Sequence, residues 1–195
     1  MQWAKDNCDL RPDQKCINAA FSGGHQNVID FIERELGIRM APSQKALNKA
    51  AADGKLEFLV DNYYVWGGLS PSVSGADEAA KNGHLNVLRW LATLKPVHRR
   101  VYPSQGGANL AAINGRSDVL GWLATLKSKR RRVYPDQRVA NWAAINGRLD
   151  VLELLATLDP KERRVYPTRS SADWGARNGH PEVLAWLEER GLLAN

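Results

Sequence analysis

No stretch of this 195-residue sequence approaches the roughly 20 consecutive apolar residues that a membrane-crossing helix needs. Its first residues, Met1-Gln2-Trp3-Ala4-Lys5-Asp6, lack the apolar core of a signal peptide. Cysteine is scarce. Cys8 and Cys16 make no disulfide framework, which points to a reducing intracellular compartment, and no histidine pair stands near them to complete a zinc site. Constellations that carry chemistry are missing too. No serine or cysteine has a base and an orienting group beside it among His25, His84, His98 and His180. The Gly106-Gly107 pair falls inside an expected helix instead of opening one after a strand, as a phosphate loop does. Glu188-Glu189 reads as a solvated terminal face. The expectation is therefore a non-enzyme with no metal, no cofactor, no small-molecule substrate and no membrane association.

What is present begins with an ordinary balance of 44% apolar and 25% charged residues, which excludes a wholly disordered or collagenous chain. The net charge of +6 is unevenly spread. Residues 95 to 170 hold 15 of the 27 Lys and Arg but only 6 of the 21 acids. A basic segment on a slightly acidic body suits an acidic partner.

Self-similarity organises the rest. Gly24, Gly54, Gly83, Gly115, Gly147 and Gly179 recur at intervals of 29 to 32 residues, which makes six repeats. A proline stands 12 residues before each glycine: Pro12, Pro42, Pro71, Pro103, Pro135 and Pro167. Each proline is followed by a short acceptor suited to capping a helix: Asp13, Ser43, Ser72, Ser104, Asp136 or Thr168. Seven, four and three residues before the glycine the chain is apolar or small, as in Ala108, Ala111 and Ala112, so these positions share the packing face of a first helix. Six before the glycine stands Asn18, Asn48, Asp77, Asn109, Asn141 or Asp173, read as a polar ladder tying neighbouring repeats together. Asn-Gly dipeptides such as Asn114-Gly115 supply the positive φ that ends the first helix. A second helix follows, with Val119, Leu120, Trp122, Leu123 and Leu126 as its apolar stripe in the fourth repeat. Trp90 and Trp186 share the register of Trp122, and Leu154 takes that position in the fifth repeat. About 30 residues bury too little alone, so the pairs are expected to stack into one elongated, cooperative domain.

The stretch Ala79-Ala80-Lys81-Asn82-Gly83-His84-Leu85-Asn86-Val87-Leu88-Arg89-Trp90-Leu91 resembles the ankyrin repeat, and Ala176-Arg177-Asn178-Gly179-His180-Pro181-Glu182-Val183-Leu184 matches nearly as well. The resemblance covers residues 10 to 195 and is nearest in wording to arrays from large DNA viruses and protists. It implies an all-α, ankyrin-like solenoid of stacked antiparallel helix pairs with short loops, occupying residues 10–195. Residues 1–9, with Gln2-Trp3-Ala4, resemble the tail of a preceding helix or a cap. The family's Thr-Pro-Leu-His opening is absent, so its projecting hairpin is expected to be shortened or replaced by a loop. In viral members such arrays accompany an F-box-like segment and act as adaptors; that segment is not recognisable within these 195 residues.

Two surfaces offer a partner something to hold. One is an arginine ladder: Arg99-Arg100, Arg131-Arg132 and Arg163-Arg164 fall at equivalent loop positions, each before Val-Tyr-Pro. Stacked helices stand roughly 8–10 Å apart, so the charges of such a ladder add at physiological salt. The competing reading is that these cations cap second-helix C-termini. The other surface lies nine, five and two residues before the glycine, on one face of the first helices. Early repeats place Lys15, Lys45 and Lys49 there, whereas later repeats offer Leu110, Ile113, Arg138, Trp142, Ile145, Trp174 and Arg177. Apolar and Trp/Arg surface of this kind suits an interface hot spot, although ankyrin repeats also use apolar residues there for packing.

The sequence thus points to a protein-binding module, engaging an acidic partner through the concave first-helix face and basic rim of repeats four to six, in the role of an adaptor or scaffold. The alternative is nucleic-acid or other polyanion binding by the arginine ladder, with Tyr102, Tyr134 and Tyr166 stacking on bases. Either places the protein inside the cell, in the cytoplasm. The run Lys127-Ser128-Lys129-Arg130-Arg131-Arg132 raises the nucleus as the other compartment.

Overall fold

The computed structural model describes residues 12–39, 41–126, 133–158 and 161–192. Among them the chain is all-helical, with twelve α-helices and no strand. None is long and apolar enough to cross a membrane. The first helices of the six units are α1 (Gln14–Gly23), α3 (Gln44–Ala52), α5 (Val73–Asn82), α7 (Gln105–Ile113), α9 (Gln137–Ile145) and α11 (Arg169–Arg177). Their second helices are α2 (Gln26–Asp30), α4 (Leu56–Val65), α6 (Leu85–Thr93), α8 (Ser117–Thr125), α10 (Leu149–Ala156) and α12 (Glu182–Glu189). A π-helical turn, Phe31–Glu35, continues α2. The cap of residues 1–9 lies outside the described residues.

Each first helix starts where the Pro-plus-acceptor pattern places it, with Asp13, Ser43, Ser72, Ser104, Asp136 and Thr168 as N-caps in extended backbone. Ser72 alone makes no side-chain bond to its own helix. Each first helix also ends as expected. The six glycines turn with φ between 64° and 96°, a left-handed conformation that costs a residue with a Cβ free energy. At Gly83 the turn closes with Gly83 N–H on Ala80 O (3.2 Å) and His84 N–H on Ala79 O (2.9 Å), the paired bonds that satisfy the last carbonyls of a helix. The neighbouring unit reinforces the choice at Gly54, where an added Cβ would lie 2.5 Å from His84 Nδ1.

The alanine face is the packing face. Ala76, Ala79, Ala80, Ala108, Ala111, Ala112, Ala140, Ala143 and Ala144 are wholly buried, and first helix packs on first helix along the series α1, α3, α5, α7, α9, α11. Val87, Leu88 and Leu91, Val119, Leu120 and Leu123, and Val151, Leu152 and Leu155 bring the second helices into the same core. Trp90 and Trp122 are half-buried against it, and Trp186 is buried, with the Arg190 guanidinium 4.4 Å above its ring.

The polar ladder forms at every join. Asn18 Oδ1 accepts from Ser43 N–H (2.9 Å), Asn48 Oδ1 from Ser72 N–H (2.9 Å), Asp77 Oδ1 from Ser104 N–H (2.6 Å), Asn109 Oδ1 from Asp136 N–H (3.1 Å), and Asn141 Oδ1 from Thr168 N–H (2.9 Å). Each rung ties one unit to the backbone of the next unit's cap, so a buried-side polar group fixes the register of the stack. Asp173, the last rung, instead accepts from Arg169 Nε of its own helix (3.2 Å). A second ladder was not anticipated. Gln14, Gln44, Gln105 and Gln137 donate to the carbonyls of Ala41, Ser70, Tyr134 and Tyr166 in the following unit, while also donating to their own ladder asparagine. The signal was available, since glutamine follows the cap in four of the six repeats.

Candidate functional site

Packing assigns most of the repeated residues, and what remains on the first helices is the face nine, five and two residues before each turn glycine. Because the ladder sets one register for all joins, equivalent positions of this face line up from unit to unit. On its C-terminal half, Trp174 of α11 is 61% exposed, a large apolar side chain left in water. Trp142 and Ile145 of α9 and Leu110 and Ile113 of α7 are half-buried; Trp142 and Ile113 rest one side against the core. Arg177 is exposed beside Trp174.

Arg138 is held in place by its own helix. Its Nε and Nη2 donate to Asp136 Oδ2 at 3.0 and 2.6 Å, while Asp136 Oδ1 accepts from Arg138 N–H at 3.0 Å. The Arg138 guanidinium is the main cause holding the Asp136 carboxyl below its ordinary range, with Asn109 Nδ2 adding to it. One carboxylate thus serves as helix cap, ladder partner and arginine anchor.

The arginine pairs divide their work. Arg99 ends a short 3₁₀ turn, Val97–Arg99, and its Nη1 donates to Gly67 O (3.1 Å) and Gly68 O (3.0 Å) of the preceding unit. Arg100 Nε donates to Leu94 O (3.3 Å), just past the end of α6, and Arg164 Nε makes the equivalent bond to Leu158 O (3.2 Å). Terminal carbonyls gain a cation, as helix C-termini favour. Where the structure describes the pairs, these arginines bond backbone carbonyls, with Arg99 exposed and Arg100 and Arg164 half-buried. Arg131 and Arg132, with the rest of the 127–132 run, lie outside the described residues, and so does the Arg163 side chain.

The tyrosines are likewise committed to the fold. Tyr134 is buried, and Tyr166 is half-buried against Trp186 with ring centroids 6.5 Å apart. The stacking role expected for Tyr134 does not fit its burial, since a base needs an open ring face. Tyr102 is half-buried.

Two features of the outer surface were not read from the sequence. Tyr64 of α4 is 84% exposed beside a groove of about 370 Å³ lined by Val60, Tyr63, Trp90, Thr93, Leu94 and Lys95. The signal is Tyr64 beside Tyr63, where only one of two adjacent helical residues faces the core. Among the described residues no three His, Cys, Asp or Glu side chains converge as metal ligands do.

No model of a known protein family matches the chain, and comparison with curated proteins finds no match.

Proposed function

We propose that this chain is an ankyrin-type solenoid whose task is non-covalent recognition of a protein, through the first-helix face of units four to six. The observation that carries the reading is Trp174, a tryptophan left exposed at the end of an apolar row formed with Trp142, Ile145, Leu110 and Ile113, with Arg177 and Arg138 at its flank. Exposed aromatic and arginine side chains next to a rigid apolar surface are the anchors that protein interfaces use. The solenoid reading is supported by six units sharing one cap, one left-handed glycine turn and one inter-unit ladder.

The polyanion alternative has less behind it. Arg99, Arg100 and Arg164 already donate to backbone carbonyls and Tyr134 is buried, so part of the ladder's bonding capacity is used within the fold.

The test is to pan a random peptide display library against the full chain and to titrate the chain with duplex and single-stranded nucleic acid over a range of salt. The reading expects a consistent peptide class whose affinity falls at least about fivefold in Trp174→Ala, a loss of over about 1 kcal/mol. Peptide binding indifferent to Trp174, or nucleic-acid binding with a steep salt slope, overturns it.

A further inference from the structure

The first-helix face has two halves of different chemistry. In units one to three its three positions carry Lys15, Lys45, Lys49 and Lys81 against one carboxylate, Glu78. In units four to six they carry the apolar row, with Arg138 and Arg177 as the only charges. Across the whole face six cations meet one acid, a far stronger bias than the chain as a whole shows.

Three of these cations are already matched within the fold: Lys49 to Asp53 at 2.6 Å, Lys81 to Glu78 at 3.1 Å and Arg138 to Asp136 at 2.6 Å. Lys45 and Arg177 are exposed, and neither has a carboxylate within ion-pair distance among the described residues. Lys15 is exposed as well, two residues from the Asp13 cap. Open positive charge on this face therefore lies on Lys15 and Lys45, several helices away from the open apolar surface, and on Arg177 beside it.

From this separation we infer that the partner of the proposed binding face is one segment in two parts, an apolar stretch seated on Leu110, Trp142 and Trp174 and an acidic stretch reaching Lys45 and Lys15. The inference rests on the reading of this face as the binding surface. Adjacent first helices stand roughly 8–10 Å apart, so Lys45 lies about 32–40 Å from Trp174 and Lys15 about 40–50 Å. At about 3.3 Å per residue an extended segment bridges these spans with about 10 to 15 residues. The acidic part then supplies the steering and the charge preference, and the apolar part most of the affinity.

A display library of random peptides about 36 residues long is panned against the wild-type chain, long enough to span the face either extended or as a helix. Enriched peptides are expected to keep an acidic cluster apart from an apolar cluster. A Lys15→Ala/Lys45→Ala variant is expected to bind them about fivefold more weakly at low salt, the difference closing at high salt. Both lysines are exposed and their amines bond to nothing among the described residues, so this variant is expected to keep its structure. Trp174→Ala weakens the same peptides at all salt concentrations. Peptides that depend on Trp174 but show no acidic cluster, or that bind the double lysine variant as tightly as wild type, overturn the two-part partner and leave the binding face standing. Peptides indifferent to Trp174 overturn both.

Discussion

Asp77 and Asp173 occupy the same register position in their repeats, six residues before the turn glycine, yet the structure gives them different amounts of work. Asp77 Oδ1 accepts from Ser104 N–H at 2.6 Å and Oδ2 from Ser104 Oγ–H at 2.7 Å, a half-buried pair of bonds across the α5–α7 join. Among the described residues Asp173 meets Arg169 of its own helix, with the two side chains 42% and 57% exposed. A hydrogen bond to a charged group contributes about 1.5–3 kcal/mol net, less where water competes. Asp77→Ala breaks two and strands a backbone N–H, so a loss of about 2–3 kcal/mol is expected. Asp173→Ala breaks one exposed ion pair and costs less than about 0.5 kcal/mol. Asp77→Asn restores the arrangement that Asn48 already makes with Ser72, accepting from its N–H and donating to its Oγ, and recovers most of the loss. Urea unfolding of the three variants reads the difference. Amide exchange at Ser104 locates it, because repeat arrays can lose one join before the rest. Equal costs for Asp77→Ala and Asp173→Ala, or unchanged protection at Ser104, would refute the ladder as the source of inter-unit stability.

Other outcomes follow from the same geometry. Gly121 is exposed in α8 with nothing within 4 Å of an added Cβ, so Gly121→Ala gains about 0.5–1 kcal/mol of helix propensity. Gly175→Ala goes the other way despite the same propensity gain, because its Cβ would drive into Ala144 O of the neighbouring helix; thermal unfolding of the two variants should shift in opposite directions. The Asp136 carboxyl is held below its ordinary range, so its contribution is complete above about pH 4 and is lost as pH falls through the lowered value. Asp136→Asn is therefore expected to flatten the acid limb of a stability–pH curve below about pH 4 and to lower the plateau above it. Trp142→Ala should cost binding more than about 1 kcal/mol and also some stability, since one side of the ring rests on the core; Trp174→Ala should leave unfolding unchanged.

How much of this was legible in the sequence depends on how local the signal is. First-helix starts and ends were readable to the residue because cap, glycine and proline act through their own backbone. The asparagine ladder was readable as a function but not as a bond, since its partner, the next unit's cap N–H, lies 24 to 27 residues on. The glutamine ladder went unread for a different reason. Its acceptors are backbone carbonyls, which leave no trace in side-chain identity. The arginine pairs were half-read: their repetition was visible, but only coordinates show that Arg99 reaches back to Gly67 and Gly68 while Arg100 turns to Leu94.

The repeats also explain why the proposed binding surface falls where it does. On the first helices the residues that recur in register go to a cap, a turn, the alanine face or a rung, so the positions that vary are the ones left to face a partner. Variation reaches one join as well. The residue eight before the glycine is Gly75 in α5 and Gly107 in α7, and in each case the preceding rung, Asn48 or Asp77, lies where a Cβ would go. In α9 this residue is Val139, buried at the same place. α9 and α7 meet less closely than α5 and α7 do. Leu110 and Ile113 lie on one side of that wider join, Trp142 and Ile145 on the other. The apolar row of the proposed binding face therefore straddles a join where the first helices meet less closely.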